Sequence, residues 1–145
     1  MGELSVPNDF TVASIDGVRV VLTRAAMDDD SMQLEWDGVR SDTTDRMDEK
    51  WALDLADWLK ARTTDGREAV GMPPRMPGNL LARVLVTVRD DSGNQVAQLD
   101  GQVAGTDTEW HAAWRFARPR EEANRLLVQF DVDGVPTAAC ELEIR

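Results

Sequence analysis

The stretch DTEWHAAWRFARP, residues 107–119, holds the chain's only histidine, His111, close to Arg115 and two tryptophans. A histidine that acts as a general base or a metal ligand needs an orienting partner and a nucleophile, or further ligands, within reach. The sequence offers no second histidine and no partner motif. Because residues alternate between the faces of an extended strand, His111 and Arg115 should share the outer face, about 13 Å apart. We therefore expect His111 to be exposed and unpartnered, opposite a buried face formed by Trp110, Ala112, Trp114 and Phe116.

The single cysteine, Cys140, is the other residue with intrinsic reactivity. It lies in TAACELEI and should share a strand face with Ala138, Leu142 and Ile144. A buried thiol without a cationic neighbour is inert. We therefore predict a core cysteine rather than a nucleophile.

Two acidic runs are the only candidates for metal binding: Asp28 to Asp30, and DDSGN at residues 90–94. Neither fits the calcium-loop pattern, which supplies six to eight oxygens and ends in a bidentate glutamate. The same residue types are selected by tight turns. We predict two turns and no metal or other cofactor, with a weak calcium site as the alternative if both turns project at one end of the fold.

Trp51 and Trp58 lie a heptad apart in MDEKWALDLADWLKAR, where they could form a platform for a sugar or a partner helix. The same spacing is what a helix needs to pack on a sheet, and we favour that interpretation because burying tryptophan stabilises a small domain. The helix also carries acidic residues, and nothing singles out a pair of them for glycoside hydrolysis. We expect a solvated face, partly neutralised by lysines: Glu49, Asp54 and Asp57 with Lys50 and Lys60.

The net charge is −11 over 145 residues, which disfavours nucleic acid and anionic membranes as partners. We expect the charge mainly to keep the protein soluble and monomeric; if it has a binding role, the expected partner is another protein with a basic surface, or a cation. The start, MGELSVPNDF, lacks the basic and apolar regions of a signal peptide. No apolar run approaches the 18 to 20 or so residues that span a bilayer. We expect a cytoplasmic protein.

Periodicity predicts the elements that hold these residues. Asp16-Gly17 and Asp133-Gly134 are two-residue hairpin signals, and MQLEW alternates as a half-buried strand. The spacing of apolar residues predicts an amphipathic helix over about 46–62, with Asp45 as its N-cap. A Pro- and Gly-rich connection over 63–79 follows, and period two returns from residue 80, with Ala82, Val84, Val86 and Val88 on one face.

About eight short strands and one helix predict a single mainly β domain over 1–145, a sandwich of two antiparallel sheets, with the helix covering an end or an edge. The pattern resembles the immunoglobulin-type superfold, and Trp36 resembles that fold's core tryptophan. A fold does not assign a function. The absence of a catalytic set favours a non-catalytic protein-interaction or accessory module. The alternatives are a small-ligand or carbohydrate-binding domain using exposed tryptophans, and an enzyme of unrecognised type.

Overall fold

Two antiparallel sheets pack face to face, as the sequence predicted. The computed structural model describes residues 2–66, 70–103 and 109–144. Within these ranges, six strands form one sheet in the order β1-β3-β4-β8-β7, with β2 also pairing with β3, and four form the other in the order β10-β9-β5-β6. The strands are β1 (Gly2–Leu4), β2 (Thr11–Ile15), β3 (Val18–Met27), β4 (Ser31–Gly38), β5 (Val84–Asp90), β6 (Gln95–Val96), β7 (Gln98–Val103), β8 (His111–Ala117), β9 (Arg125–Val132) and β10 (Val135–Glu143).

The inward-facing residues are those that alternation predicted. On β4, Met32, Leu34 and Trp36 are fully buried, and the aromatic face of β8 is buried as well. The Trp36 ring centroid lies 4.8 Å from that of Trp114 and 6.1 Å from that of Phe130. Because Phe130 belongs to the opposite sheet, Trp36 joins the two sheets at the centre of the core.

Both Asp-Gly dipeptides form the predicted two-residue hairpin turns. Their aspartates have φ of 51° and 52°, and their glycines have φ of 84° and 83°, which are the left-handed values that a type I′ turn requires. Asp16 joins β2 to β3 in one sheet, and Asp133 joins β9 to β10 in the other. The guanidinium of Arg83 donates hydrogen bonds to both aspartates, so one side chain links the turns of the two sheets.

Ten strands replace the predicted eight for two reasons. The sequence predicts one weaker strand over 95–105; its described part, 95–103, divides at Ala97, so that β6 pairs with β5 in the smaller sheet and β7 pairs with β8 in the larger. The N-terminal residues also form β1, which pairs with the end of β3.

The helix α1 (Asp42–Asp65) begins earlier and ends later than predicted. Ser41, rather than Asp45, is the N-cap. The Ser41 hydroxyl accepts a hydrogen bond from the Thr44 amide, and the Thr44 hydroxyl accepts one from the Ser41 amide. This reciprocal capping satisfies two backbone donors at the helix start. Asp45 lies in the first turn, where its charge complements the helix dipole.

The predicted 63–79 connection is shorter than expected because helices extend into both of its ends. Residues 63–65 belong to α1, and a 3-10 helix spans Pro77–Arg83. Ala82 is an exposed residue of this 3-10 helix, so its prediction as part of the strand was wrong, whereas Val84, Val86 and Val88 share one face of β5, as predicted, and that face is buried. Across the described residues, neither helix combines the length and the apolarity needed to span a membrane.

Candidate functional site

His111 lies between two carboxylates on the outer face of the six-stranded sheet. Its Nδ1 is 2.5 Å from Asp37 Oδ1, and its Nε2 is 3.1 Å from Glu35 Oε1. Asp37 is directly opposite His111 in the pairing of β4 with β8, and Glu35 is two residues earlier on β4. The imidazole lies on the outer face, as its strand position predicted, but it is half-buried rather than fully exposed. The expectation that it has no partner was wrong.

The network continues across the neighbouring strands. Glu35 Oε2 accepts hydrogen bonds from Arg24, at 2.8 Å, and from Gln33, at 3.2 Å. Arg24 also donates to Glu3, at 2.6 Å. Burial of Glu35 opposes its charged form, but the hydrogen bonds from Arg24 and Gln33 outweigh that cost, so the pKa of Glu35 is lowered. A chain of alternating charges therefore runs from Glu3 of β1 through Arg24 of β3 to Glu35 of β4.

An aspartate-histidine pair is half of the arrangement that activates a nucleophile, so the chemistry of His111 depends on its second nitrogen. That nitrogen faces the Glu35 carboxylate, and no hydroxyl or thiol of the described residues forms a hydrogen bond with the ring. The two ring nitrogens also diverge, so Glu35 and Asp37 cannot both join one imidazole nitrogen around a single ion. No group of three potential metal-ligating side chains occurs within the described ranges. His111 therefore connects β8 to two carboxylates of β4.

A shallow depression of about 370 Å³ borders this cluster, at the junction of the large sheet and the start of α1. The indole Nε1 of Trp110 donates to Asp48 Oδ1 of α1 at 3.2 Å, and Arg40 pairs with Asp48 Oδ2 at 2.6 Å. These bonds fasten the N-terminal half of α1 to the sheet. The residues that line the depression are Asp37, Gly38, Arg40, Glu109, Trp110 and His111.

The two acidic runs form turns, as predicted. Asp28 Oδ1 accepts from the amides of Asp30 and Ser31, and Asp90 Oδ1 accepts from those of Ser92 and Asn94. The two backbone bonds to Asp28 lower the pKa of its carboxyl. Burial acts to raise the pKa of Asp90, but the amide bonds and Arg120 outweigh it and lower the value.

Both acidic turns lie at one end of the sandwich, because Arg118 and Arg120 each reach one of them. Arg118 donates to the Asp28 carbonyl, and Arg120 Nε donates to Asp90 Oδ2 at 3.1 Å. The alternative of a weak calcium site required both turns to project at one end of the fold, and this placement satisfies that requirement. However, backbone amides already donate to Oδ1 of both Asp28 and Asp90. Arg118 and Arg120 also bring positive charge to these turns, which disfavours a bound cation.

Cys140 is buried at 9% exposure on the inner face of β10. Burial raises the pKa of its thiol to about 11, so the thiolate is scarce at neutral pH. The residue is the core cysteine that the sequence predicted.

The tryptophans of α1 are less buried than expected. Trp51 and Trp58 are both half-buried, and Thr44 is the only buried residue of this 24-residue helix. Trp51 Nε1 donates to the Pro74 carbonyl at 3.3 Å, and the Arg62 guanidinium lies 5.4 Å from the Trp58 ring centroid. Trp51 therefore contacts the connection that follows α1, and Trp58 contacts Arg62 of its own helix.

A groove of about 280 Å³ separates α1 from the segment 74–80. Trp51 forms part of one wall, and we call the cleft the Trp51 groove. Its other lining residues are Asp16, Met47, Lys50, Asp54, Pro74, Arg75, Pro77 and Leu80. The Lys50 and Asp54 charges pair with each other at 2.6 Å, as the helical spacing predicted.

The side of α1 that faces away from the sandwich carries a second apolar stripe. Ala52, Leu53, Ala56 and Leu59 are all exposed, Leu53 to 68% and Leu59 to 47%. We call these four residues the outer face of α1. This face was not predicted from the sequence, because the tryptophan stripe dominates the helical pattern. Spacings of three and four residues from Ala52 would have indicated it.

The fold and these features define a two-sheet antiparallel β-sandwich that carries a partly unpacked helix. No family model matches the chain, and no curated protein matches it. The chain is similar to a solved structure described as the conserved domain protein from Bacillus anthracis, with 15% sequence identity and a TM-score of 0.43. The similarity covers the whole of this chain, which spans 47% of that one. At this level, the similarity carries no argument about function.

Proposed function

We propose that the protein is a non-catalytic interaction module that binds another protein through the outer face of α1. The observation that carries the proposal is how little of α1 is buried: the helix is 24 residues long, and Thr44 is its only buried residue. A helix of a globular domain normally buries a whole apolar stripe. Here two leucines, Leu53 and Leu59, remain exposed, as is typical of a helix that enters the groove of a partner.

Charge supports a partner that presents basic groups. The protein has a net charge of −11, and two exposed acidic residues of α1 precede the outer face, Asp45 by about two turns and Glu49 by about one turn. Basic residues in the partner would speed association and orient the complex. The same charge argues against nucleic acid and anionic membranes as partners. We place the protein in the cytoplasm, a proposal supported by its single, buried thiol.

Two features support a role without catalysis. Carboxylates engage both ring nitrogens of His111, and burial keeps Cys140 protonated. The two side chains with the greatest intrinsic reactivity are therefore both committed to the fold.

Pull-down from native lysate with matched double variants tests the proposal. The variant Leu53→Glu/Leu59→Glu disrupts the outer face of α1, and Leu85→Glu/Leu127→Glu makes the same change at exposed leucines of the smaller sheet. We expect the helix variant to lose proteins that the wild type and the sheet variant retain at low salt. Circular dichroism verifies that each variant folds. Equal recovery by all three proteins, or equal loss by both variants, contradicts the proposal.

A second candidate function is the binding of a small ligand or carbohydrate in the Trp51 groove. The observation that favours it is a half-buried indole beside Asp16, Asp54 and Arg75, since sugar sites combine an aromatic face with planar polar side chains. The test is fluorescence titration with a panel of mono- and disaccharides, comparing Trp51→Phe with Trp58→Phe. A response lost only in Trp51→Phe supports this function. Uniform protection of all tryptophans from iodide, or no response to any sugar, overturns it.

A further inference from the structure

We propose that the outer face of α1 pairs with the same face of a second copy of this chain, as an antiparallel helix pair with its two-fold axis at Ala56. The inference rests on the proposed function and names a partner for the same surface. It follows from the order of apolar and charged residues along the helix, which complements itself when the helix is reversed.

The apolar residues complement each other by size. Helical geometry places Ala52, Ala56 and Leu59 on one line of the helix surface. When two such helices run in opposite directions about Ala56, Leu59 of each copy lies within about 1.5 Å, measured along the helix axis, of Ala52 of the other. A large side chain then meets a small one at both contacts, and the two Ala56 residues allow the backbones to approach closely at the axis. The two helices can therefore pack against each other without a change in the structure of either helix.

The flanking charges complement each other as well. Glu49 and Lys60 lie on the same side of the outer face, and both are exposed. Neither forms an ion pair with any residue that the structure describes. In the reversed pair, Lys60 of each copy passes beside Leu53 and reaches Glu49 of the other copy. In antiparallel pairs, residues on the same side of the two helices meet across the interface, so the arrangement forms two symmetric ion pairs.

The interface is short, and each copy carries a net charge of −11, which opposes association. Pairing should therefore be weak and dependent on concentration, and it falls within the class of small, transient interfaces. Sedimentation velocity at protein concentrations up to about 1 mM covers the corresponding range of affinity.

Disulfide cross-linking tests the position of the axis. Ala56→Cys places a thiol at the axis, where two alanine-lined helices bring the Cα atoms within the limit of about 7 Å for a disulfide. Ala82→Cys, at an exposed alanine of the 3-10 helix, is the control, and the native Cys140 is buried in both variants. Under mild oxidation, we expect a covalent dimer from Ala56→Cys that greatly exceeds the dimer from Ala82→Cys. Equal yields contradict the pairing.

Charge reversal tests the ion pairs. Glu49→Lys and Lys60→Glu should each reduce the association constant two- to tenfold or so, and the double variant should restore it, because the two charges then exchange places. A double variant as weak as either single variant overturns the proposed register. If the wild type stays monomeric while another protein is still captured through Leu53 and Leu59, the pairing is wrong and the proposed function stands. If that capture also fails, both are wrong.

Discussion

His111 Nδ1 lies 2.5 Å from Asp37 Oδ1, between residues that are directly opposite in the pairing of β8 with β4. The two positions are 74 residues apart in the chain. The contact therefore exists only because β4 and β8 are neighbours in the sheet. The other ring nitrogen of His111 contacts Glu35, so this one residue of β8 is linked to two residues of β4.

A double-mutant cycle measures this link. His111→Ala, Asp37→Ala and the double variant should give a coupling on the order of 0.5 to 1 kcal/mol in the free energy of unfolding, since both side chains are about 40% exposed, at 39% and 43%. Urea unfolding is the measurement. The cycle for Arg115 and Asp100, a more exposed pair on the same sheet face, is the comparison. Additive effects of His111→Ala and Asp37→Ala contradict the link.

The lowered pKa of Glu35 predicts a dependence of stability on pH. Its folded-state pKa lies below its ordinary value of 4.5, so the unfolded chain binds the proton more readily than the folded protein. The stability that Glu35 contributes is therefore fully present above pH 4.5 and is lost as the pH falls through the folded-state pKa. Glu35→Gln should flatten the acid limb of stability against pH, measured by urea unfolding. Glu143→Gln, at an exposed carboxylate of β10, is the control, and equal acid limbs in wild type and Glu35→Gln refute the prediction.

Gly101 should be intolerant of alanine. A Cβ at this position would lie 2.7 Å from Cδ2 of Trp114, whose ring packs against Trp36. Because the Trp114 ring is held by the core, Gly101→Ala should cost roughly 1 to 3 kcal/mol of unfolding free energy as β7 moves outward. Gly2→Ala, with no atom within 4 Å of the new methyl group, should have little effect. Chemical unfolding followed by tryptophan fluorescence compares them, and equal stability of the two variants would count against this packing.

Cys140 should react slowly while the protein is folded. With the pKa of its thiol at about 11, the thiolate fraction at pH 8 is lower than that of a free cysteine by a factor on the order of 100. Reaction with a disulfide reagent should therefore accelerate at least that much in denaturing urea. Rapid reaction of the folded protein would show that the thiol is accessible and ionised.

Local sequence patterns predicted the parts of the fold that depend on neighbouring residues. Alternation identified the buried faces of β4 and β8, and the Asp-Gly pairs identified two hairpins, because both signals act within a few residues. The partners of His111 could not be predicted in this way, since they depend on strand order. Ser41 was missed as the helix cap because Thr44, rather than a glutamate or glutamine, completes the capping pair.

Local sequence patterns also could not predict how much of α1 is buried. The spacing of Trp51 and Trp58 correctly indicated a helix, but the burial of their rings depends on which parts of the fold lie against α1. Asp48 attaches the N-terminal half of the helix to Trp110, whereas Trp51 contacts the Pro74 carbonyl and Trp58 contacts Arg62 of α1 itself. The partial exposure of both rings follows from this geometry.

The passage of the chain from β6 to β7 ties the two sheets together. Val96 pairs with Val88 in the smaller sheet, and the carbonyl of the next residue, Ala97, accepts from Ala117 beside the larger sheet. Neither sheet can come apart at this edge without pulling on the other. Heating should therefore unfold both sheets in one step, and calorimetry should give equal calorimetric and van't Hoff enthalpies. Without a partly unfolded species, few unpaired strand edges would be exposed for aggregation.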